Sequence, residues 1–412
     1  MIYRLYNFII RIYGLMIRWV APFNTKADKW RKGRQHIWKE IEAVCDQLHH
    51  VIWVHAASLG EFEQGRPVIE EIKKRQPNIQ IILTFFSPSG YEIRQNYPGA
   101  DCIFYLPLDT SENAEKFIGK IQPKLAIFIK YDFWFNYLKT LNQAGIPFIF
   151  ISSIFTRKHF LMRSWSKGLR DILGKADLIF VQNLESQICL EEKGISSMVA
   201  GDNRVDRVIQ LQKELKKYPL LDHIRSKKKI IVFGSVWPED LEIIGKWIED
   251  RKDQYFMVVA PHDISEKMQK TVLSRIKLEF TLFSELGQKN DLGYGLLVNT
   301  IGDLPHLYQY GDLAYIGGGF GKGIHSILEP IASGLPVIFG PNFEKFQEAK
   351  ELIKLSAAQP VESAKTFREA VQYFESDRHE VMAQEGIEAF LSQHQGATST
   401  VVDYLVSRKY LQ

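Results

Sequence analysis

Ser58-Leu59-Gly60-Glu61 directly follows the apolar run 51–56. Gly60 permits a tight turn, and Glu61 falls in the first turn of the helix that the spacing of 62–75 predicts. Two chemistries fit that position. A first-turn carboxylate is a favourable partner for the helix dipole. A carboxylate held at a strand end, where water is restricted, can also take a proton from a hydroxyl as general base.

A second group of residues is built for phosphate. Gly317-Gly318-Gly319-Phe320-Gly321-Lys322-Gly323 lies between an apolar run and Ile324-His325-Ser326-Ile327-Leu328-Glu329-Pro330. Glycines between a strand and a helix let backbone N–H groups close on a phosphate, whose charge a helix N-terminus favours. The spacing is neither a Walker pattern nor a strict dinucleotide fingerprint. Glu329 fits an acceptor for both hydroxyls of a ribose, or a solvated helix residue. Gly340-Pro341-Asn342-Phe343-Glu344-Lys345-Phe346 follows another apolar run, and Gly234-Ser235-Val236-Trp237-Pro238-Glu239-Asp240 another. Together they wall one cleft.

Such residues need strand ends to hold them. Apolar runs at 51–56, 80–85, 125–129, 147–151, 178–181 and 198–200 alternate with amphipathic stretches, and the alternation restarts at 230–233, 255–260, 295–299, 313–316 and 336–339. Between the two sets lies a polar interval, 210–229, with the run Ser226-Lys227-Lys228-Lys229. The pattern predicts an α/β chain of two Rossmann-like domains facing a cleft, with ligands at the carboxyl ends of parallel strands. The expected division is a membrane-associated N-terminal helical segment 1–45, a first domain 46–208, a linker 209–228, a second domain 229–395 and a C-terminal tail or helix 396–412.

Composition agrees and excludes other classes. The chain has 412 residues, 45% hydrophobic and 24% charged, which is globular and long enough for two or three cores. Three scattered cysteines argue against a disulfide framework or a zinc knuckle. With 52 basic and 48 acidic residues the net charge of +4 gives no case for nucleic acid. No clustered His, Cys or acidic set points to a metal.

The first twenty residues are nearly all apolar except Arg4, Asn7, Arg11, Gly14 and Arg18, which form one helical stripe. Arg11 and Arg18 interrupt what would be the apolar core of a signal peptide. A spanning helix would put Arg11 near mid-bilayer, at about 2.5–3.5 kcal/mol. A helix lying in the interface puts the arginines at headgroups and buries the rest. A helix capping the domain core, with its stripe in solvent, is the further alternative. The basic cluster Lys26, Lys29, Arg31, Lys32 and Arg34 suits anionic lipid on a cytoplasmic face.

Taken in order, these segments resemble the Kdo (3-deoxy-D-manno-octulosonic acid) transferases of lipopolysaccharide synthesis, metal-independent enzymes with the two-domain B-type glycosyltransferase fold. The family's Ser-x-Gly-Glu is Ser58–Glu61, its threonine–proline turn resembles Ser87-Pro88-Ser89-Gly90, and its Gly-Ser-Thr is matched by Gly234-Ser235-Val236. Gly-Glu-Leu is similar to Gly302-Asp303-Leu304, the Gly-Gly…His-Asn-x-Leu-Glu-Pro block to 317–330, and Phe-Gly-Pro…Asn-Phe to 339–346. The resemblance spans about residues 1 to 395. It departs where Met-Glu-Thr-Glu-Leu-Trp-Pro-Asn reads Ile129-Lys130-Tyr131-Asp132-Phe133-Trp134-Phe135-Asn136, so that one acid becomes Lys130 and the other survives as Asp132. Arg-His-Pro reads Pro261-His262-Asp263, without the arginine expected near the phosphate. Ser326 replaces an asparagine, and the lysine of Gly-Asn-x-Lys-x-Asp is matched by Arg204.

The resemblance implies an inverting transfer of Kdo from CMP-Kdo, a substrate rather than a cofactor, to a lipid A precursor (lipid IVA). Glu61, Asp132 and Arg204 are its implied catalytic residues. Ser235, Pro261, His262, Ile301, Gly302, Asp303, Gly318, Gly319, Ser326, Ile327, Leu328, Glu329 and Asn342 are implied to bind CMP-Kdo. It further implies attachment to the inner membrane at its cytoplasmic face. The alternatives are another B-type sugar-nucleotide enzyme, such as a UDP-sugar transferase or epimerase, and a catalytically silent membrane-bound homologue.

Overall fold

The computed structural model describes residues 2–45, 48–289 and 291–412. The chain divides into two compact units. One holds the chain up to Asp206 and takes back His394–Gln412; the other is Arg207–Gln393.

The first unit is built on seven parallel strands, β1 (Val51–Ala56), β2 (Gln80–Phe85), β3 (Cys102–Tyr105), β4 (Leu125–Ile129), β5 (Phe148–Ser153), β6 (Leu178–Val181) and β7 (Ser197–Val199). Their order is β3-β2-β1-β4-β5-β6-β7. The strands read as unbroken apolar runs because both sheet faces are covered. Trp53, Phe128 and Phe150 enter the core on one face, and Val54, Ile127 and Ile151 the core on the other. β1 pairs with β2 on one side and β4 on the other, so the strand order reverses there and a crevice opens at their carboxyl ends.

The second unit repeats the plan with β8 (Lys229–Val236), β9 (Tyr255–Pro261), β10 (Thr281–Leu282), β11 (Gly295–Leu297), β12 (Leu313–Ile316), β13 (Val337–Phe339) and β14 (Ala358–Pro360), in the order β10-β11-β9-β8-β12-β13-β14. Its switch point falls between β8 and β12. Strands β3, β10 and β14 escape the sequence pattern: all three lie at sheet edges, and β10 has only two residues. Edge strands need not be apolar on both faces, and Pro360 is tolerated at an edge. The polar interval after residue 209 is not a plain linker. Helices Asn203–Gln212 and Pro219–Arg225 occupy most of it, and the Tyr218 N–H donates to the Tyr310 hydroxyl at 2.6 Å.

Three helices open the first unit: α1 (Ile2–Val20), α2 (Thr25–Lys32) and α3 (Ile37–Cys45). The expected solvent or headgroup stripe of α1 is split. Asn7 accepts from the Asn136 amide at 2.8 Å, the Tyr3 hydroxyl donates to Asn136 at 2.5 Å, and Tyr6 donates to buried Asp109. Gly14 sits where a Cβ would come within 2.5 Å of Leu108. Tyr3, Tyr6, Asn7 and buried Ile10 therefore dock the helix, and much of its apolar surface faces outward. Leu5, Phe8, Leu15 and Met16 are exposed, with Trp19 at 87% and Phe23 at 91%. Among the described residues no helix is long and apolar enough to cross a membrane.

The expected basic cluster is also largely spent within the unit. Lys29 pairs with Glu92 at 3.1 Å, and Arg31 and Lys32 both pair with Asp28. Arg34 turns inward to backbone carbonyls.

The chain's last helix, Ala397–Ser407, belongs to the first unit. Its Val401, Val402 and Leu405 share a core with Val68, Ile69 and Ile72 of α4 (Leu59–Arg75). That packing fixes the helix whose first turn carries Glu61.

Candidate functional site

Glu61 is the third residue of α4, and Ser58 is its N-cap. The Ser-x-x-Glu spacing is that of a capping box, in which the serine oxygen would accept from a backbone N–H. Instead the Ser58 hydroxyl donates to the Glu61 carboxylate, and no cap bond forms. Glu61 stays half-buried at the mouth of the crevice after β1.

Asp132, just beyond β4, is buried and its Oδ2 has no hydrogen-bond partner. Burial first, and then the charge of Glu61, push its carboxyl well above the usual carboxylate range. Burial therefore favours the neutral form of Asp132. Lys130, the residue directly after β4, has φ of +65°. A long side chain pays for that left-handed backbone, and such strain gathers at functional sites. The Lys130 carbonyl is held by the Ser153 hydroxyl at 2.9 Å.

Behind these carboxyls lies a network that the sequence reading missed. Trp134 Nε1 donates to His55 Nε2 at 2.8 Å. Nε2 is thus bare and the ring proton sits on Nδ1, which donates to Thr84 Oγ1 at 2.8 Å. Trp53 Nε1 donates to the same oxygen at 2.8 Å. Burial pushes His55 down to about 3, so its approach to Asp132 at 3.7 Å joins two neutral groups rather than an ion pair. The available signal was a histidine inside the otherwise apolar run Trp53-Val54-His55-Ala56.

These two buried groups bend stability with pH in opposite directions. Between about pH 4 and the raised folded pKa of Asp132, the unfolded chain releases a proton that the fold keeps, so stability falls as pH rises. Between about pH 3 and 6.5 the unfolded chain binds a proton that folded His55 refuses, so stability rises with pH. Asp132→Asn removes only the first slope. Relative to wild type it is expected to gain about 1.4 kcal/mol per pH unit above pH 4. Thermal melts of both proteins between about pH 4 and 7 check this, and parallel curves would mean that Asp132 is ionised in the fold.

Arg204 lies in the same unit, in the first turn of Asn203–Gln212. Its Nε and Nη2 donate to Asp202, at 3.0 and 2.6 Å on Oδ2. Burial would raise Asp202, but the charge and hydrogen bonds of Arg204 hold it below its usual value. Part of the positive charge expected for a leaving group is thus already engaged.

In the second unit the glycine loop follows β12 as expected, and buried Asp240 organises it. Asp240 accepts from Gly318 N at 2.9 Å, Trp237 N at 2.8 Å and the Tyr315 hydroxyl at 2.7 Å. Gly319 and Gly340 meet backbone to backbone, where a Cβ on either would lie 2.6 Å from the other. Asn342 clamps the contact: its N–H donates to Gly319 O at 2.9 Å and its side-chain amide to Gly321 O at 2.8 Å. The amide expected to face a ligand is used inside the protein.

Above the loop three rings stack. Trp237 lies on His262 with centroids 4.1 Å apart, and His262 on His325 at 4.6 Å. Trp237 Nε1 donates to His325 Nε2 at 2.9 Å, placing the His325 proton on Nδ1. Burial first, and then neighbouring His262, lower His325 and keep it neutral. Ser235 ends the adjoining strand with φ of +54°.

The helix expected directly after the loop begins only at Leu328 and runs five residues, to Ala332. A helix so short brings little dipole to a phosphate. Ile327 and Leu328 are buried, which leaves their backbone for any ligand, as for buried Pro261. Ser326 donates to the half-buried Glu329 carboxylate, the same Ser-x-x-Glu arrangement as at Glu61. Ile301 is 84% exposed, Gly302 has φ of +87°, and Asp303 pairs with Lys216 at 2.9 Å. Glu61, Asp132 and Arg204 thus belong to the first unit, and every residue expected to bind the donor belongs to the second.

A family model described as 3-deoxy-D-manno-octulosonic-acid transferase (kdotransferase) matches residues 29–207, the stretch holding Glu61, Asp132 and Arg204. The 3-deoxy-D-manno-octulosonic acid transferase of Aquifex aeolicus is 29% identical over 317 residues, which is 74% of this chain and 80% of that protein. The Haemophilus influenzae protein of the same name is 24% identical over 385 residues, 88% of this chain and 87% of its own. Among solved structures, UDP-GlcNAc 2-epimerase from Neisseria meningitidis bound to UDP-GlcNAc is similar with a TM-score of 0.58 and 16% identity, covering 87% of this chain and 99% of that one. That likeness is one of fold alone: two parallel-sheet α/β domains. Glu61 keeps its strand-end place within the matched segment, and over about three quarters of its length or more the chain is similar to 3-deoxy-D-manno-octulosonic acid transferases.

Proposed function

We propose that this chain is a glycosyltransferase that moves Kdo from CMP-Kdo to a lipid A precursor in lipopolysaccharide synthesis. The observation that carries this reading is Glu61, held by Ser58 at the carboxyl end of β1 inside the family-matched segment. The acceptor hydroxyl oxygen attacks the anomeric carbon as the bond from that carbon to phosphate breaks. Cytidylate leaves with the bonding electrons, and the hydroxyl proton passes to Glu61. Attack opposite the leaving group inverts the anomeric centre, as one base on one face implies.

Asp132, held toward its neutral form by burial, limits the negative charge beside Glu61. The Arg204 guanidinium suits the charge growing on phosphate, whereas the N–H groups of Gly317, Gly318, Gly321 and Gly323 are engaged inside the protein. Phosphate leaves as an anion, so the reaction needs neither a second carboxylic acid nor a metal or cofactor. In the second unit the ring stack of Trp237, His262 and His325 offers a face for the base, and Glu329 an acceptor for ribose.

The exposed apolar side of α1 supports a place in the interface of the inner membrane, at its cytoplasmic face, where a lipid acceptor is met in two dimensions. The substrate assignment is tested by thermal melting with nucleotides. Cytidine monophosphate at about 100 times its Kd is expected to add about 2.7 kcal/mol of stability. Protection by uridine diphosphate but not cytidine monophosphate would replace Kdo transfer with another sugar-nucleotide reaction.

A further inference from the structure

Four arginines meet in one recess of the first unit without an acid on its wall. The recess has a volume of about 900 Å3 and is lined by Arg11, Arg18, Arg31 and Arg34 beside Trp30 and Trp38. Among the described residues, Arg31 alone of the four has a carboxylate partner, Asp28 at 2.8 Å, which Lys32 shares. Arg34 donates to the carbonyls of Leu106 at 2.8 Å, Phe86 at 2.7 Å and Trp30 at 3.3 Å. Its guanidinium lies 3.9 Å over the Trp30 ring, and burial pulls it down to about 9. Hydrogen bonds hold this cation, but no counter-charge does.

On the other side of Trp30 lies a second recess, of about 390 Å3, walled by Tyr13, Met16, Ile17, Val20 and Phe86. A cationic recess and an apolar one sharing a tryptophan wall match the two halves of an amphiphile. We propose that the arginine recess takes the phosphoryl group of an anionic lipid and the apolar recess the start of its acyl chain. Forked guanidinium donors suit a tetrahedral phosphoryl group, and the volume is that of a ligand site rather than a surface contact. The proposal rests on the membrane-facing reading of α1.

The test is co-flotation of the full chain with phosphatidylcholine vesicles containing or lacking phosphatidylglycerol. Wild type is expected to prefer the anionic vesicles by about tenfold or more. Arg11→Lys/Arg18→Lys keeps every charge but loses the fork, and is expected to forfeit at least about fivefold of that preference. Arg11→Gln/Arg18→Gln should lose it entirely, and Trp19→Ala/Phe23→Ala should weaken binding to both vesicles. Full preference in the lysine variant would reduce the recess to diffuse surface charge and overturn the proposal. Thermal stabilisation by inorganic phosphate that vanishes in the glutamine variant, without any vesicle preference, would assign the recess to free phosphate and overturn the lipid. Wild type floating with neither vesicle would end the membrane reading of α1, whereas equal floating with both would end only this inference.

Discussion

Glu61→Gln is expected to slow Kdo transfer by about 10²–10⁴, the usual contribution of a general base. Glutamine keeps the size of the side chain and an oxygen for the Ser58 hydroxyl, so the turn into α4 should survive. What disappears is the capacity to accept a proton as the acceptor oxygen attacks. Glu61 lies in the first unit and the expected nucleotide residues in the second, so protection by cytidine monophosphate should match wild type. Transfer measured with CMP-Kdo and a lipid A precursor, beside a melting curve with the nucleotide, separates chemistry from binding. Undiminished turnover would remove Glu61 from the mechanism, and lost nucleotide protection would make its role structural.

The second large effect is expected at Gly340, far from Glu61 in sequence and carrying no functional group. A Cβ there would stand 2.6 Å from the Gly319 carbonyl carbon and 2.9 Å from Phe320 N. Both are backbone atoms, which cannot swing aside as a side chain can. Gly340→Ala therefore has to part the loops after β12 and β13, an overpacking of about 1–3 kcal/mol. If those loops cradle cytidylate, this parting should weaken its binding about tenfold or more, since 1.4 kcal/mol is tenfold. Asn342→Ala removes one clamp without a clash, and a smaller loss is expected from it. Calorimetric titration with cytidine monophosphate checks the order. Unchanged affinity in Gly340→Ala would move the nucleotide away from these loops.

Much of the first half of the site could be read from residue order because its signals are local. A strand buried on both faces is a continuous apolar run, and the residues after it must stand at the sheet's carboxyl edge. Glu61, Lys130–Asp132, Ser235, the glycine loop and Asn342 were found that way. Strands β3 and β14 were not, since an edge strand loses the two-faced burial that makes a run conspicuous.

Roles set by contacts distant in sequence were read less well. Asn342, expected to meet a ligand, pins Gly319 and Gly321, a role its place in the sequence did not show. Arg204 was expected to offer its charge, and Asp202 already holds part of it. The basic cluster after α1 looked like a free patch until Glu92, from across the fold, and Asp28 within α2 were seen to share it.

From residue order alone came the two sets of parallel strands, the carboxylates at their ends, the glycine loop and the family these resemble. Pattern along a chain suffices there, because strand burial and turn chemistry are decided by near neighbours. Tertiary structure alone decided that burial raises the Asp132 carboxyl, that His55 is locked in one tautomer by Trp134 and Thr84, and that α1 docks through Tyr3, Tyr6, Asn7 and Ile10. Each depends on which groups are brought within hydrogen-bond reach and how far water is excluded, and neither quantity is written in the order of residues.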